Sequence, residues 1–511
     1  MNSIHDLSDF ELNRSLNQLL PEEFCRENDA VLLKKEDTLY LGMLNLYNRE
    51  ALRKAANITG RPIQSAVQLN DYELDRAMEW IFSEDDASAV LEHPGENYIR
   101  ERLFLQYEDK IHFEREQPAA GIVSDTIAAA IRDRATDIHI EIYSREVDLR
   151  FRIDNILHRR KTPITPHNVS AVINRIKVLA ELDVAVHHHP QSGHIVTFYV
   201  DRHSRGRRID VRVSLLPGLY GEDAVLRILD EEQMNIDINN LGMNDEQSVL
   251  FSELIHRPSG LIMVTGPTAG GKTTTLYSAI SHLTTDNNKI VTVEDPIEFE
   301  IPRVNQKQIS SNLTFSEYTK NFMRQNPDII MVGEIRDEET ARVAFRAAQV
   351  GHLVLTTLHT QDAVSAISRM LSFGIDVNIL ISLLRASLSQ RLVRKICPDC
   401  RKKTRPSRYI TETFPPLPES MTFYTGTGCS TCNQTGYLGL TGVFEIICFS
   451  EELKQYILKT HRISKEELHK TFQYNTMYDH ALEKINQGIT TAEEVLRVIP
   501  IPIHFFNPTD K

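Results

Sequence analysis

No stretch of this 511-residue chain approaches the uninterrupted apolar length of about 20 residues that a membrane-spanning helix needs. Even residues 378–393 are broken by Arg385, Gln390 and Arg391. Basic charge is also short. Against 70 Asp+Glu stand 57 Lys+Arg, a net charge of −13, which argues against a nucleic-acid protein held by bulk charge and leaves only local basic surfaces. Six cysteines are too few for a disulfide scaffold, and four of them fall in two Cys-x-x-Cys pairs, which fits a reducing compartment. The first twenty residues carry acids among their apolar positions and lack a basic start followed by an apolar core, so no signal peptide is expected. No tandem repeat or low-complexity segment breaks the text. These absences predict a cytosolic protein of several domains, since a single core rarely exceeds roughly 250 to 300 residues.

What is present divides the chain into three domains. Residues 1–90 mix short apolar runs at 30–33 and 39–44 with a helical period at 70–82, a small α+β domain. Polar residues and breakers dominate 91–118, read as a connection. From 119 to 233 a helix candidate at 124–134 leads into alternating strands at 138–142 and 147–153, an α+β middle domain. Arg150 and Arg152 share one strand face, and Arg207, Arg208, Arg212 and Arg227 follow on later strands. Without other evidence such a face is a solvated one; beside a phosphate-binding domain it suggests anion contact. From 234 to 511 apolar runs at 261–264, 290–293, 329–332 and 353–358 alternate with helical stretches such as 338–350. That is the text of an α/β domain with a mostly parallel sheet covered on both faces.

Residues 266–273 read GPTAGGKT, a Gly-x-x-x-x-Gly-Lys-Thr loop between an apolar strand and a helix-forming stretch at 274–283. Its glycines let backbone N–H groups turn inward around phosphates, and the helix N-terminus adds positive dipole. Gly266, Pro267, Thr268, Ala269, Gly270, Gly271, Lys272, Thr273 and Thr274 are therefore candidate binders of a nucleoside triphosphate. Lys272 should reach the β- and γ-phosphates and Thr273 should hold Mg²⁺.

The run DIIMVGE ends in Glu334, as expected of a buried strand that delivers an acid to the nucleotide edge of the sheet, where it could orient the attacking water. VTVEDPIE packs Glu294, Asp295 and Glu298 after another strand. Acids so close raise one another's pKa unless a cation intervenes; Mg²⁺ held through water, base catalysis or a plain acidic turn would each account for them. His352 and His359 bracket GHLVLTTLHT and on their own prove little. Cys397, Cys400, Cys429 and Cys432 form two knuckles 28 residues apart, suited to a closed tetrahedral Zn²⁺ site that stabilises a subdomain over about 396–450; a redox pair is the rival reading. Cys25 and Cys448 read as ordinary small apolar residues, and His187, His188 and His189 as a polar loop.

Taken together, GPTAGGKTTT, VTVEDPIE, DIIMVGEIRD, GHLVLTTLHT, CPDC and CSTC resemble the secretion ATPase superfamily, the hexameric motors of type II secretion and type IV pilus assembly. RATDIHIE, LRFRIDNIL and DVRVSLLPGLYGEDAVLRILD extend the likeness into the middle domain, and GYLGLTGVFEI and ITTAEEVLRV carry it forward. The early segment resembles the type II secretion branch more than the pilus extension branch. The resemblance implies a RecA-like C-terminal domain, a PAS-like middle domain and an N-terminal domain that docks on inner-membrane platform proteins, GspL-like and GspF-like. It implies a homo-hexamer at the cytoplasmic face of the inner membrane that hydrolyses ATP to drive pseudopilus assembly, with no nucleic acid. It further implies ATP and Mg²⁺ at Lys272 and Thr273, hydrolysis through Glu298 and Glu334, γ-phosphate sensing by His352 and His359, and nucleotide contact by Arg212 and Arg227.

Four departures stand out. Ala269-Gly270 replaces the usual Gly-Ser, a change that Gly270 should tolerate by its flexibility. Asn155 stands where the family has glycine, and Asn accepts left-handed backbone better than most residues. The histidine-rich stretch 186–194 and Leu440 also differ, which bears on family contacts made there. A non-hydrolysing nucleotide-binding scaffold and a nucleic-acid translocase are the rival classes.

Overall fold

The computed structural model describes residues 19–35, 38–43, 48–69, 74, 78, 103–106, 118–200, 206–230, 237–310, 313–414, 417–418, 420–460, 465–472 and 474–500. The chain divides into two compact units, Met1–Ile153 with Leu157–Ile228, and Asp154–Ile156 with Leu229–Lys511.

In the first unit, β1 (Ala30–Lys35), β2 (Thr38–Met43) and β3 (Ile63–Gln68) form a sheet whose first pair is antiparallel and second parallel. A parallel return needs a crossover, and the helix Arg49–Thr59 supplies it. Asn48 caps that helix by accepting the Ala51 N–H, and Gly60 ends it at φ 62°. Of the helical period at 70–82, only Leu74 and Met78 are among the described residues, and both are buried in this core.

The unit's second sheet has seven strands: β4 (Leu103–Gln106), β5 (Ala135–Ile142), β6 (Val147–Ile153), β7 (Ile156–Arg160), β8 (Gln191–Val200), β9 (Gly206–Pro217) and β10 (Glu222–Asp230). Their order is β4-β8-β9-β10-β5-β6-β7. β4 lies inside the stretch read as a connection. Four residues carry too little periodicity to announce a strand, and it is pairing along β8 that makes them one. Strict alternation in β6 and β9 sends Leu149, Phe151, Val211 and Val213 into a core with the helices Ala119–Arg132 and Val169–Leu179.

Arg150, Arg152, Arg208, Arg212 and Arg227 occupy the alternate, more exposed positions. This is not the purely positive face that the arginines suggest. Asp137 lies 3.0 Å from Arg227 and 3.7 Å from Arg152, Asp210 lies 3.2 Å from Arg208, and Glu141 and Asp148 flank Arg150. Asp148 and Asp210 share a strand with the arginine they meet, two residues away, whereas Asp137 and Glu141 come from the neighbouring strand β5. Asn155 does adopt left-handed backbone, φ 65°.

In the second unit, β11 (Gly260–Thr265), β12 (Ile290–Glu294), β13 (Asn305–Gln308), β14 (Ile329–Val332), β15 (Leu353–Leu358), β16 (Leu384–Ile396) and β19 (Tyr437–Cys448) form a sheet in the order β13-β12-β14-β15-β11-β16-β19. Every pair is parallel except β16 with β19. β11, β14 and β15 are buried at every position, as strands covered on both faces must be. Alternate residues of β11 feed two cores: Leu261 and Met263 one, Ile262 and Val264 the other. Between β16 and β19, β17 (Arg401–Thr404) and β18 (Phe423–Gly426) pair as a small ribbon.

Candidate nucleotide-binding site

β11 ends at Thr265 and the helix Lys272–Leu283 begins seven residues later, so 266–271 must reverse direction within a tight loop. Gly266 takes φ 154° and Gly271 φ 82°, values that suit glycine. The third reversal falls on Ala269 at φ 57°, not on Gly270. The alanine that replaces the usual glycine therefore carries left-handed strain itself, which corrects the expectation that Gly270 would absorb the change. Pro267, Thr268 and Ala269 are exposed while Gly266 and Gly270 are buried. Thr273, the second helical residue, is exposed, and Thr274 is half-buried.

Lys272 is 8 % exposed and curls back, its Nζ donating to the carbonyls of Gly266 at 3.1 Å and Pro267 at 2.9 Å. Burial pushes its pKa down while the nearby Glu334 carboxylate pulls it up. Glu334 follows β14 at the same carboxyl-terminal edge of the sheet, largely buried. His359 follows β15, and its Nε2 lies 3.3 Å from Glu334. Arg336 bonds Glu334 through one guanidinium nitrogen and Asp295 at 3.2 Å through the other. The Glu334 hydrogen bond, opposed by partial burial, raises the Arg336 pKa further. Parallel strands thus bring a lysine, a glutamate, a histidine and an arginine from separate sequence blocks to one edge.

The acidic box is split by burial. Glu294 ends β12 at 3 % exposure, bonded by the hydroxyls of Tyr277 and Thr292 and by Gln306 Nε2 at 3.2 Å. Burial raises its pKa, its hydrogen-bond donors oppose the rise, and Glu298 adds only a lesser push. Mutual repulsion among the three acids is therefore not the main cause. Glu298 sits in the following turn, where its N–H donates to the Tyr277 hydroxyl at 3.1 Å. Burial, then Glu294, holds the Tyr277 phenol far above its ordinary range.

His352 does not join the site. It precedes β15, and its carbonyl accepts the Gly260 N–H at 3.1 Å where β11 begins. A six-residue strand rising about 3.3 Å per residue puts it roughly 20 Å from the loop end of the sheet. Two histidines that bracket a strand in sequence stand at its opposite ends in space. Arg212 and Arg227 belong to the first unit's sheet, with Arg227 bound to Asp137. His187, from the histidine triplet, pairs with Glu222 at 2.7 Å beside the buried Lys177.

Three participants escaped the sequence reading. Tyr277 and Arg336 carry no distinguishing signal in the sequence, and Gln390 figures there only as a break in the apolar stretch 378–393. In the last case the interruption was itself the signal, because a polar residue 1 % exposed in a central strand needs partners. Gln390 finds them in Gly270 and Thr275.

Beyond the ribbon, Cys397, Cys400, Cys429 and Cys432 bring their Sγ atoms within 4.8 Å of one another. The separations are 3.7 Å (Cys397–Cys429), 3.9 Å (Cys400–Cys432) and 3.7 Å (Cys429–Cys432). Bonds of about 2.3 Å from a central Zn²⁺ give tetrahedral edges of about 3.8 Å, so the donor set fits. The N–H groups of Cys429 and Gly436 each donate to Cys432 Sγ at 3.3 Å, the support a metal-bound thiolate requires.

Comparison with known proteins agrees with this geometry. A family model described as "Type II/IV secretion system protein" matches residues 112–497, and an "MshEN domain" model matches residues 4–88. The chain belongs to the type II/IV secretion system protein family. The "Type II secretion system ATPase E" of Vibrio cholerae serotype O1 is 36% identical over 494 residues, covering 94% of this chain and 96% of that one. The "Type IV pilus assembly ATPase PilB" of Myxococcus xanthus is 33% identical over 508 residues, covering 96% and 88%. Among solved structures, the pilus retraction motor PilT with bound ADP superposes at a TM-score of 0.51 with 25% identity, covering 75% of this chain and 97% of that one. The fold of that motor is thus shared over three quarters of this chain. Among the described residues of this family member, no helix is long and apolar enough to cross a membrane.

Proposed function

We propose that this secretion-family protein is a Mg²⁺-dependent ATPase motor. It would act as a hexamer at the cytoplasmic face of the bacterial inner membrane, driving pseudopilus assembly and export in type II secretion. The convergence of Lys272, Glu334 and His359 beside the phosphate loop carries the reading. In it, Lys272 leaves the loop carbonyls for the β- and γ-phosphates, and Glu334, held by Arg336 and His359, orients the attacking water. Thr273 and the acidic turn at Glu298 would hold Mg²⁺, which neutralises charge developing on the transferred phosphoryl group. Arg212 and Arg227 would supply further positive charge to the γ-phosphate and disengage from it after hydrolysis. The four cysteines hold a structural Zn²⁺, expected at about one ion per chain by metal analysis. The N-terminal domain docks on the inner-membrane platform proteins. The type II secretion ATPase is 36% identical and PilB 33% over a similar share of this chain, which favours secretion and makes pilus assembly the second reading.

Steady-state ATPase activity across a protein concentration series, with Glu334→Gln alongside, tests the proposal. Turnover should rise with concentration as subunits assemble and should fall at least ~100-fold in the variant, with ATP binding retained. Equal turnover in both proteins would overturn it, and binding without turnover at any concentration would favour a scaffold.

A further inference from the structure

β16 lies between β11 and β19, and its Gln390 is 1 % exposed. The side-chain Nε2 donates to the Gly270 carbonyl at 2.7 Å, and the Oε1 accepts the Thr275 hydroxyl at 2.7 Å. One carboxamide therefore ties the phosphate loop to the first turn of the helix that follows it. The backbone of β16 presses on the same loop. A Cβ at Gly266 would fall 2.4 Å from the Gln390 carbonyl oxygen, and one at Gly271 would fall 2.9 Å from Gln390 Nε2 and 3.2 Å from Leu392. Both loop glycines are thus demanded by β16 as well as by their positive φ.

The consequence for binding follows from peptide geometry. A trans peptide is planar, and its carbonyl and the following N–H point in opposite directions. Holding the Gly270 carbonyl against β16 aims the Gly271 N–H the other way, toward the concave side of the loop where phosphate oxygens are cradled. The task needs a donor and an acceptor on one short planar group at a buried position. Glutamine provides both, and asparagine is a methylene shorter.

We propose that Gln390 is a positioning residue for nucleotide binding, fixing the Gly270–Gly271 peptide so that its N–H is aimed at phosphate before the nucleotide arrives. The proposal rests on the nucleotide reading above. It predicts that pre-aimed donors cost no reorganisation on binding, and that their release weakens ATP and ADP alike.

The test is equilibrium titration of ATP and ADP onto the full chain, with thermal unfolding recorded without nucleotide. Gln390→Met, similar in length but without the amide, should bind both nucleotides about tenfold more weakly. Gln390→Glu should be at least as weak near about pH 8.5, where a carboxylate turns two acceptors toward Gly270 and Thr275 and adds charge beside the phosphates. It should recover to within about threefold of the unaltered chain near about pH 6, where the buried carboxyl takes a proton and again offers one donor and one acceptor. A purely structural role would move the unfolding temperature with pH and leave nucleotide affinity unmoved. Should Gln390→Met fail to fold, Thr275→Val removes one bond without changing shape and should weaken binding about threefold. Affinity in Gln390→Met within twofold of the unaltered chain, or a pH-independent loss in Gln390→Glu, would overturn the proposal alone. Failure of the unaltered chain to bind ATP would overturn the nucleotide reading and the proposal with it.

Discussion

The Tyr277 hydroxyl accepts the Glu298 N–H at 3.1 Å while donating to the buried Glu294. Tyr277 rides on the phosphate-loop helix, and Glu298 belongs to the acidic turn after β12, so one phenol joins the two elements. Tyr277→Phe should leave the Glu298 N–H without this partner and deprive Glu294 of a donor, costing about 1–3 kcal/mol of stability by denaturant unfolding. Turnover should fall more than ATP affinity does, because the phosphate loop keeps its own contacts. A variant with unchanged stability and unchanged kcat would show that the bridge is idle.

The two histidines around β15 should separate cleanly. His359→Ala removes a partner of Glu334 and should lower kcat by about 10- to 100-fold. His352→Ala, at the far end of the strand, should leave kcat within about twofold. Equal losses in the two variants would contradict this assignment.

Ala269 invites a stabilising change. At φ 57° a left-handed alanine costs about 1–2 kcal/mol, and glycine would relieve it at an entropic cost of about 0.5–1 kcal/mol. Ala269→Gly should therefore gain about 0.5 kcal/mol, a Tm rise of about 1–2 °C in a unit of this size. Calorimetry showing a fall in Tm would refute the strain argument.

His480 gives the second unit a dependence on acid. Burial, reinforced by Lys484, brings its pKa down to about 4, and the Phe444 N–H donates to Nδ1 at 3.0 Å, which suits the neutral ring. The unfolded chain, with an ordinary value of about 6.5, binds the proton first. Stability is thus undiminished above about pH 6.5 and is lost as pH falls toward about 4, by roughly 3 kcal/mol in full. Urea unfolding across this range should show the slope, and His480→Gln should flatten it. An unchanged slope in that variant would assign it to other groups.

How far the sequence can be read depends on whether the determining contacts are local. The phosphate loop, the fully buried strands around Met263, Ile330 and Leu355, and the paired cysteines were legible because each is set by adjacent residues. β4 was not, since its identity comes from β8. The charge balance around Arg227 was hidden because Asp137 lies 90 positions away, and Gln390 because Gly270 lies 120 away. The placement of His352 was hidden for a different reason. Motif proximity carries no information about which end of a strand a residue occupies.

β16 runs from the strand carrying Gln390 directly into Cys397, with a bulge between Arg394 and Ile396. Along an extended chain successive side chains face opposite ways, so one residue inserted or deleted between them would invert everything on one side of the change. The phosphate loop and the cysteine knuckle therefore keep a common reading frame in space. Drift in this segment can exchange side chains freely at exposed positions, but it can alter length only in pairs or by spending the bulge.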